Sequence, residues 1–298
     1  MAHICHPLAN VGAAGRAPLR EKPGAPASLL LPSTLFFRYH FREAMPTRPD
    51  HRATPRPALD PSLLARLAPL ARAFYARDPR TVARELLGKI LIRPDGGPLA
   101  PSFGECGPPR PLAGRIVETE AYLGALDPGA HAYRGRTPRT AVLFGPPGHA
   151  YVYLIYGNHY CTNVSCQLPG EAGSVLLRAL EPVSGLRTMA ALRELPLPDR
   201  ARTAQLRLLT AGPGRLSQAL GITRPEHNGC DLCSRASGLY IAADPQAADD
   251  QSSDAADAIS ATPRINVTRA PHHEWRYFLT GNPFVSGKKS RERPVLES

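Results

Sequence analysis

Hydrophobic periodicity starts late in this chain. Residues 1–58 are rich in Pro, Ala and Arg and show no sustained period. They are expected to form a disordered extension, with Met45 as an alternative start inside it. Asp60-Pro61 is a helix cap followed by proline at the first helical position, and Leu63, Leu64, Leu67, Leu70, Ala71 and Phe74 then recur at helical spacing. Asp78-Pro79 opens a second helix through Val82, Leu86 and Leu87, with Gly88 as its stop. Residues 89–93 read as a first strand and 114–122 as another, separated by a Pro/Gly-rich loop.

Residues 123–149 form a long loop dense in Gly and Pro, and loops of that length inside a compact domain are usually functional or disordered. After it, 151–156 and 159–165 flank Gly157-Asn158, a hairpin signature with a two-residue turn. A further strand is expected over 175–180, helices over 183–194 and 214–220, and extended chain over 264–267 and 276–280. Residues 243–262 carry five aspartates among Ala, Ser and Gln and read as a mobile acidic insertion. Strands and helices mix without strict alternation, so the expected class is α+β. The expected layout is one mixed domain over 59–288, with a curved antiparallel core, a protruding β-hairpin and surrounding helices, ending in a disordered tail at 289–298.

A formal net charge of +11 changes the picture by predicting attraction to polyanions. No apolar run approaches the roughly 18 residues of a membrane helix, and the stretch at 28–37 is a poor signal peptide because it holds a proline and lacks a small-residue cleavage site. A soluble intracellular protein is the expectation. Of six cysteines only Cys230 and Cys233, near His227, have metal-like or redox-like spacing. A structural zinc site normally takes four ligands as two such pairs; no second pair exists, so reduced thiols are expected.

The chemistry concentrates between Val117 and Asn163. Period two places Glu118, Glu120 and Tyr122 on one strand face. His131 lies in a Gly-flanked loop, Tyr151 and Tyr153 share a hairpin face, and Tyr156 falls on the other side directly before the turn. A tyrosine at a hairpin tip is either a partly exposed turn residue or a wedge for a base stack. Arg178 interrupts an apolar strand and needs a carboxylate or phosphate partner. Gly212-Pro-Gly-Arg215 leads into a helix whose first N–H groups suit a phosphate. Dinucleotide and P-loop glycine motifs are absent as placed motifs.

The ordered blocks ARELLGK (83–89), VETEAY (117–122), DPGAHAYRGRTPR (127–139), YVYLIYGNHYCTN (151–163), VLLRALEP (175–182), LTAGPGRLSQALGI (209–222) and GNPFVS (281–286) resemble the alkyladenine, or 3-methyladenine, DNA glycosylases of the single-domain type also found in animals. The resemblance spans about residues 73–287. It implies an enzyme that flips alkylated or deaminated purines from double-stranded DNA and hydrolyses the N-glycosidic bond. By that resemblance Glu120 is the general base and Arg178 stands near the active-site water. Tyr122 and Tyr153 sandwich the base, His131 closes the pocket and donates a hydrogen bond, and Asn163 crowds the exocyclic amine of guanine. Tyr156 intercalates, while Arg139 and Arg215 contact DNA. No metal or cofactor is called for, and no amine nucleophile occupies a matching position, so a monofunctional, monomeric enzyme leaving an abasic site is implied. In a bacterium it would be cytoplasmic and nucleoid-associated. The segment 267–275 departs from the family pattern, with Pro271 standing where a glycine is usual. Two other readings compete: a non-catalytic damage sensor, which would not need Glu120, and a glycoside hydrolase using Glu118 and Glu120, whose same-strand placement flanks a sugar badly.

Overall fold

The molecule is described by a computed structural model over residues 59–97, 110–247 and 259–287. The segments expected to be disordered, 1–58 and 289–298, lie outside these residues. Among the described residues eight strands form one antiparallel sheet: β1 (Ile90–Arg93), β2 (Leu112–Tyr122), β3 (Ala150–Ile155), β4 (His159–Cys166), β5 (Gly173–Ser184), β6 (Tyr240–Ala242), β7 (Ile259–Thr262) and β8 (Arg276–Leu279). The order is β3-β4-β5-β2-β1-β6, with β8 pairing to β2 and β7 to β8. β2 changes neighbour along its length, pairing through Leu112–Arg115 with β1 and through Glu118–Glu120 with β8. This split lets the sheet curl into a half-barrel within a mixed α+β domain.

β2 and β5 are the central strands, and nearly every residue on them is buried. Their apolar members, among them Val117, Ala121, Val175, Leu177 and Leu180, belong to the main core cluster. The same strands also bury Arg115, Glu118, Glu120, Arg178 and Glu181. Charges leave water at that depth only when paired. Arg115 accordingly bridges Glu181 at 2.9 Å and Asp244 at 2.6 Å.

Two irregularities stand side by side in the β2–β5 ladder. Ile116 faces Leu180 and Glu118 faces Ala179, which leaves Val117 extra; Thr119 faces Leu177, which leaves Arg178 extra on the other strand. Bulges re-aim side chains beside functional sites, and here the displaced residue is the arginine that interrupts the apolar pattern.

Among the described residues seven α-helices surround the sheet: α1 (Pro61–Leu64), α2 (Arg72–Tyr75), α3 (Pro79–Glu85), α4 (Leu186–Leu192), α5 (Thr203–Thr210), α6 (Pro213–Ala219) and α7 (Arg224–His227). Among the described residues no helix is long and apolar enough to cross a membrane. Asp60 caps α1 as expected, accepting from the Ser62 and Leu63 N–H groups.

Several expectations need correction. The single helix expected from Asp60 to Phe74 is two short helices, because Pro69 sits between them as a bridge to Ala242 and a proline interior to a helix would lose a bond and clash. The helix expected at 183 begins at Leu186, since β5 runs on to Ser184. The hairpin turn holds three residues, with Ile155 paired to His159. Residues 264–267 form a turn rather than a strand, with Asn266 at φ 59. α5 is an element that the periodicity did not announce.

The expected acidic insertion at 243–262 is shorter than its composition suggested. Asp244 is buried against Arg115, and Ile259–Thr262 is strand β7, so both ends are built into the fold. Its centre, 248–258, lies outside the described residues.

Candidate active site

The curl of the sheet, the hairpin and the 123–131 loop enclose a cavity of about 650 Å³, within the usual size range of small-molecule sites. Glu120, Tyr122, His131, Tyr153, Asn163 and Arg178, foreseen as one site, all line it. Tyr156, Arg215 and the turn after β7 (265–269) complete the wall and rim.

Glu120 is fully buried at the inner end of β2. Its Oε2 accepts the Tyr122 hydroxyl at 2.8 Å, and its Oε1 accepts the Ile265 N–H at 2.7 Å and lies 3.1 Å from Nη1 of Arg178. Every one of these partners is a donor, so neither oxygen needs a proton to satisfy its neighbours. Glu118 sits one strand period away and is equally buried. It takes Arg178 at 2.9 Å, Arg276 at 2.7 Å and the Ser286 N–H at 2.6 Å. Burial works to raise the Glu118 pKa, but the two guanidinium charges outweigh it and hold the carboxyl below the usual range. Arg178 therefore spans the two glutamates, one anchored beneath and one open to the pocket.

Tyrosines and a histidine supply the aromatic surface. Burial, reinforced by the Glu120 carboxylate, pushes the Tyr122 phenol well up, and burial does the same to Tyr153, so both present neutral rings. His131 meets the Tyr153 ring edge-on with centroids 4.5 Å apart. Its outer edge reaches solvent at the pocket mouth, while desolvation of the inner face and the Arg139 charge lower its pKa to about 4. A neutral ring has one donor and one acceptor. Arg139 can only donate, and its Nη2 lies 3.5 Å from Nε2, so the proton belongs on Nδ1, 3.1 Å from the Tyr151 hydroxyl. The hydrogen bond expected from His131 to a base is therefore committed to Tyr151 in this arrangement. Asn163 is buried and donates through Nδ2 to the Tyr151 carbonyl at 3.2 Å.

Alternation would put Tyr156 on the face opposite Tyr153. It instead adopts φ 54, lines the cavity and remains 78% exposed. A left-handed tyrosine is uncommon and costs local strain. Arg139 and Arg215 are both exposed at the rim, and the Arg139 guanidinium lies 5.5 Å from the Tyr153 ring centre.

The loop carrying His131 starts at Gly124, whose φ is +57 and whose added Cβ would fall 1.8 Å from the Ala172 carbonyl oxygen. Gly124→Ala is expected to destabilise the fold by more than about 3 kcal/mol, since both the conformation and the contact oppose a side chain. A urea melt tests this; a midpoint equal to wild type would mean that the loop can move away at no cost.

Sequence reading missed several participants: the Ile265 N–H, Arg276 and Ser286 beneath Glu118, Tyr151 as the partner of His131, and His159, which lines the cavity and packs against Gly214. Arg264 and Arg276 carried the same signal as Arg178, a lone arginine in a mostly apolar surround, but their partners are distant in sequence.

A carboxylate fully served by donors, facing a cavity walled by neutral aromatic rings, suits a hydrolase whose substrate presents a flat ring. Residues 73–283 match the methylpurine-DNA glycosylase family. A Koribacter versatilis protein assigned as a 3-methyladenine DNA glycosylase is 51% identical over 228 residues, covering 76% of this chain and 98% of that protein. A Burkholderia lata protein assigned likewise is 43% identical, covering 75% and 94%. An Alkaliphilus oremlandii protein of the same assignment is 40% identical, covering 74% and 99%. The chain belongs to the methylpurine-DNA glycosylase family. It is a DNA glycosylase, a hydrolase of N-glycosyl bonds that acts in base-excision repair of alkylation damage.

Proposed function

We propose that this enzyme takes damaged purines, 3-methyladenine and other alkylated or deaminated bases among them, out of double-stranded DNA into the cavity and releases them with Glu120 as general base. The observation that carries the reading is Glu120 itself, buried at the cavity wall with three donors on its carboxylate. A water between Glu120 and Arg178 gives a proton to Glu120 as its oxygen bonds to C1′. The C1′–N bond breaks and its electron pair leaves with the base. On an alkylated, cationic purine that pair neutralises the ring, so the base is a good leaving group as it stands.

Tyr122 and Tyr153 stack the extruded ring, and a cationic ring gains cation–π attraction to them. His131 closes the mouth, Asn163 crowds an exocyclic amine, and Tyr156 fills the gap in the duplex. Arg139 and Arg215 take the phosphates. Water is the only nucleophile in this scheme, so the product is an abasic site with an unbroken strand. The enzyme acts as a monomer at the nucleoid in the cytoplasm, a reading supported by its DNA substrate and its bacterial relatives.

Base release from duplexes carrying hypoxanthine or ethenoadenine, and from methylated DNA, tests this reading directly. Strand breaks should appear only after alkali. Breaks before alkali would exclude a monofunctional enzyme, and tight lesion binding with no release would favour the damage-sensor reading. Affinity for undamaged duplex should fall steeply with added salt, with a logarithmic slope of about −0.9 per phosphate neutralised. A flat dependence would remove the rim arginines from the DNA contact.

A further inference from the structure

The wall formed by Tyr122 has a cation behind it. The Arg264 guanidinium lies 4.6 Å from the Tyr122 ring centre and 5.0 Å from that of Trp275, so it stands against both rings. Arg264 is buried and forks onto Asp127, with Nη1 to Oδ2 and Nη2 to Oδ1 at 2.8 Å. Nη1 also donates to the Ala121 carbonyl at 3.0 Å. Trp275 is in turn stacked on His273, with centroids 4.0 Å apart and planes 5° from parallel. The series continues to His272 at 4.5 Å. A layered series thus runs Tyr122, Arg264, Trp275, His273, with His272 tilted by 52° at its end, and its outer half occupies the segment 267–275 that departs from the family pattern.

The hydroxyl bond from Tyr122 to Glu120 leaves one freedom unfixed. The phenol oxygen lies on the ring's own Cβ–Cγ axis, so a bond there pins the tip but lets the plane rotate. A planar cation pressed on one face removes that rotation. Asp127 sets the plane of the guanidinium through two bonds and also cancels its charge, so a cationic base on the other side of Tyr122 meets no net repulsion.

We propose that Arg264 is a positioning residue that fixes the ring plane of Tyr122, acting through planarity rather than through its charge alone. This rests on the reading of Tyr122 as a stacking wall. Lysine at the same position keeps the ion pair to Asp127 and loses the plane. A merely structural fork loses stability but leaves excision by the folded enzyme unchanged; a backing plate loses excision in the folded enzyme as well.

The experiment is a double-mutant cycle on single-turnover excision of hypoxanthine from duplex DNA, using Arg264→Lys, Tyr122→Ala and their combination. Arg264→Lys is expected to lower the melting temperature modestly, through the bond to Asp127 that it cannot make, and to keep its affinity for undamaged duplex. Its excision should slow by about tenfold, the scale of one desolvated cation–π contact. In the Tyr122→Ala background the same change should cost less than about twofold, because the ring it acts through is gone.

Wild-type excision by Arg264→Lys would overturn the proposal while leaving the Tyr122 reading intact, provided that Tyr122→Ala is slow. A full loss persisting in the Tyr122→Ala background would overturn it too, by showing that Arg264 acts elsewhere. Wild-type excision by Tyr122→Ala would remove the stacking reading and this inference together. Should Arg264→Lys fail to fold, Asp127→Asn/Arg264→Met removes both charges and the fork at similar bulk and is read in the same cycle. Trp275, the one tryptophan of the chain, reports the loss of the sandwich in either variant by a change in its emission. Unchanged emission in a variant that has lost the fork would show that the sandwich is absent in solution.

Discussion

Glu120→Gln is expected to bind a hypoxanthine duplex within a few-fold of wild type and to release the base at least about a hundredfold more slowly, the lower end of what a positioned general base contributes. The change is nearly isosteric, so the fold and the pocket shape persist. The chemistry does not, for two reasons. A carboxamide cannot accept a proton from water at neutral pH. It also carries an NH₂ group where the wild-type site offers only acceptors, and its three neighbours, Tyr122 Oη, Ile265 N and Arg178 Nη1, all donate. The amide can keep its oxygen on Ile265 N and Arg178 Nη1 only by turning its NH₂ to Tyr122, whose hydroxyl must then accept instead of donate. Single-turnover excision beside an equilibrium binding titration separates the two effects. Turnover near the wild-type rate would remove Glu120 as the base, and an equal loss of binding would mean that the amide had distorted the pocket.

Tyr156→Ser is expected to weaken binding to a lesion duplex by about ten- to a hundredfold, as one stacked ring is worth about 1–3 kcal/mol. It should leave affinity for undamaged duplex and the melting temperature nearly unchanged. Stability is indifferent because the side chain is 78% exposed and holds little of the core together. The backbone gives a second handle. At φ 54 a tyrosine is strained, so Tyr156→Gly should raise stability by up to about 1 kcal/mol while weakening lesion binding as Tyr156→Ser does. Gain of stability with loss of binding is the pattern of strain kept for function. Unchanged lesion affinity in both variants would end the wedge role and leave Tyr156 as a turn residue.

The hairpin shows how far the pattern reaches. Alternating Tyr151 and Tyr153 and a glycine-bearing turn were enough to place two strands and their shared face. They were not enough to place Tyr156, because strict alternation sends it away from the cavity and only its left-handed backbone brings it back. β2 is similar. Period two correctly grouped Glu118, Glu120 and Tyr122, yet gave the two glutamates equal standing. Their roles separate only once Arg276 and the Ser286 N–H arrive from distant parts of the chain to occupy Glu118.

Composition misled at one place. Five aspartates among small polar residues looked like solvated chain, but Asp244 is the buried partner of Arg115 and 259–262 is a strand. A buried carboxylate cannot be told from a solvated one without seeing the cation that neutralises it.

The sequence by itself determined the α+β class and the hairpin, because local spacing and residue type carry those, and its ordered motif blocks named the residues that meet at the site through their resemblance to the family. Tertiary structure alone decided which glutamate faces the cavity, where Arg178 points, and what backs Tyr122. Each of these depends on partners some 60 to 168 residues apart in sequence. An ion pair or a stacked ring leaves a mark on the chain at both ends but no record of which ends belong together.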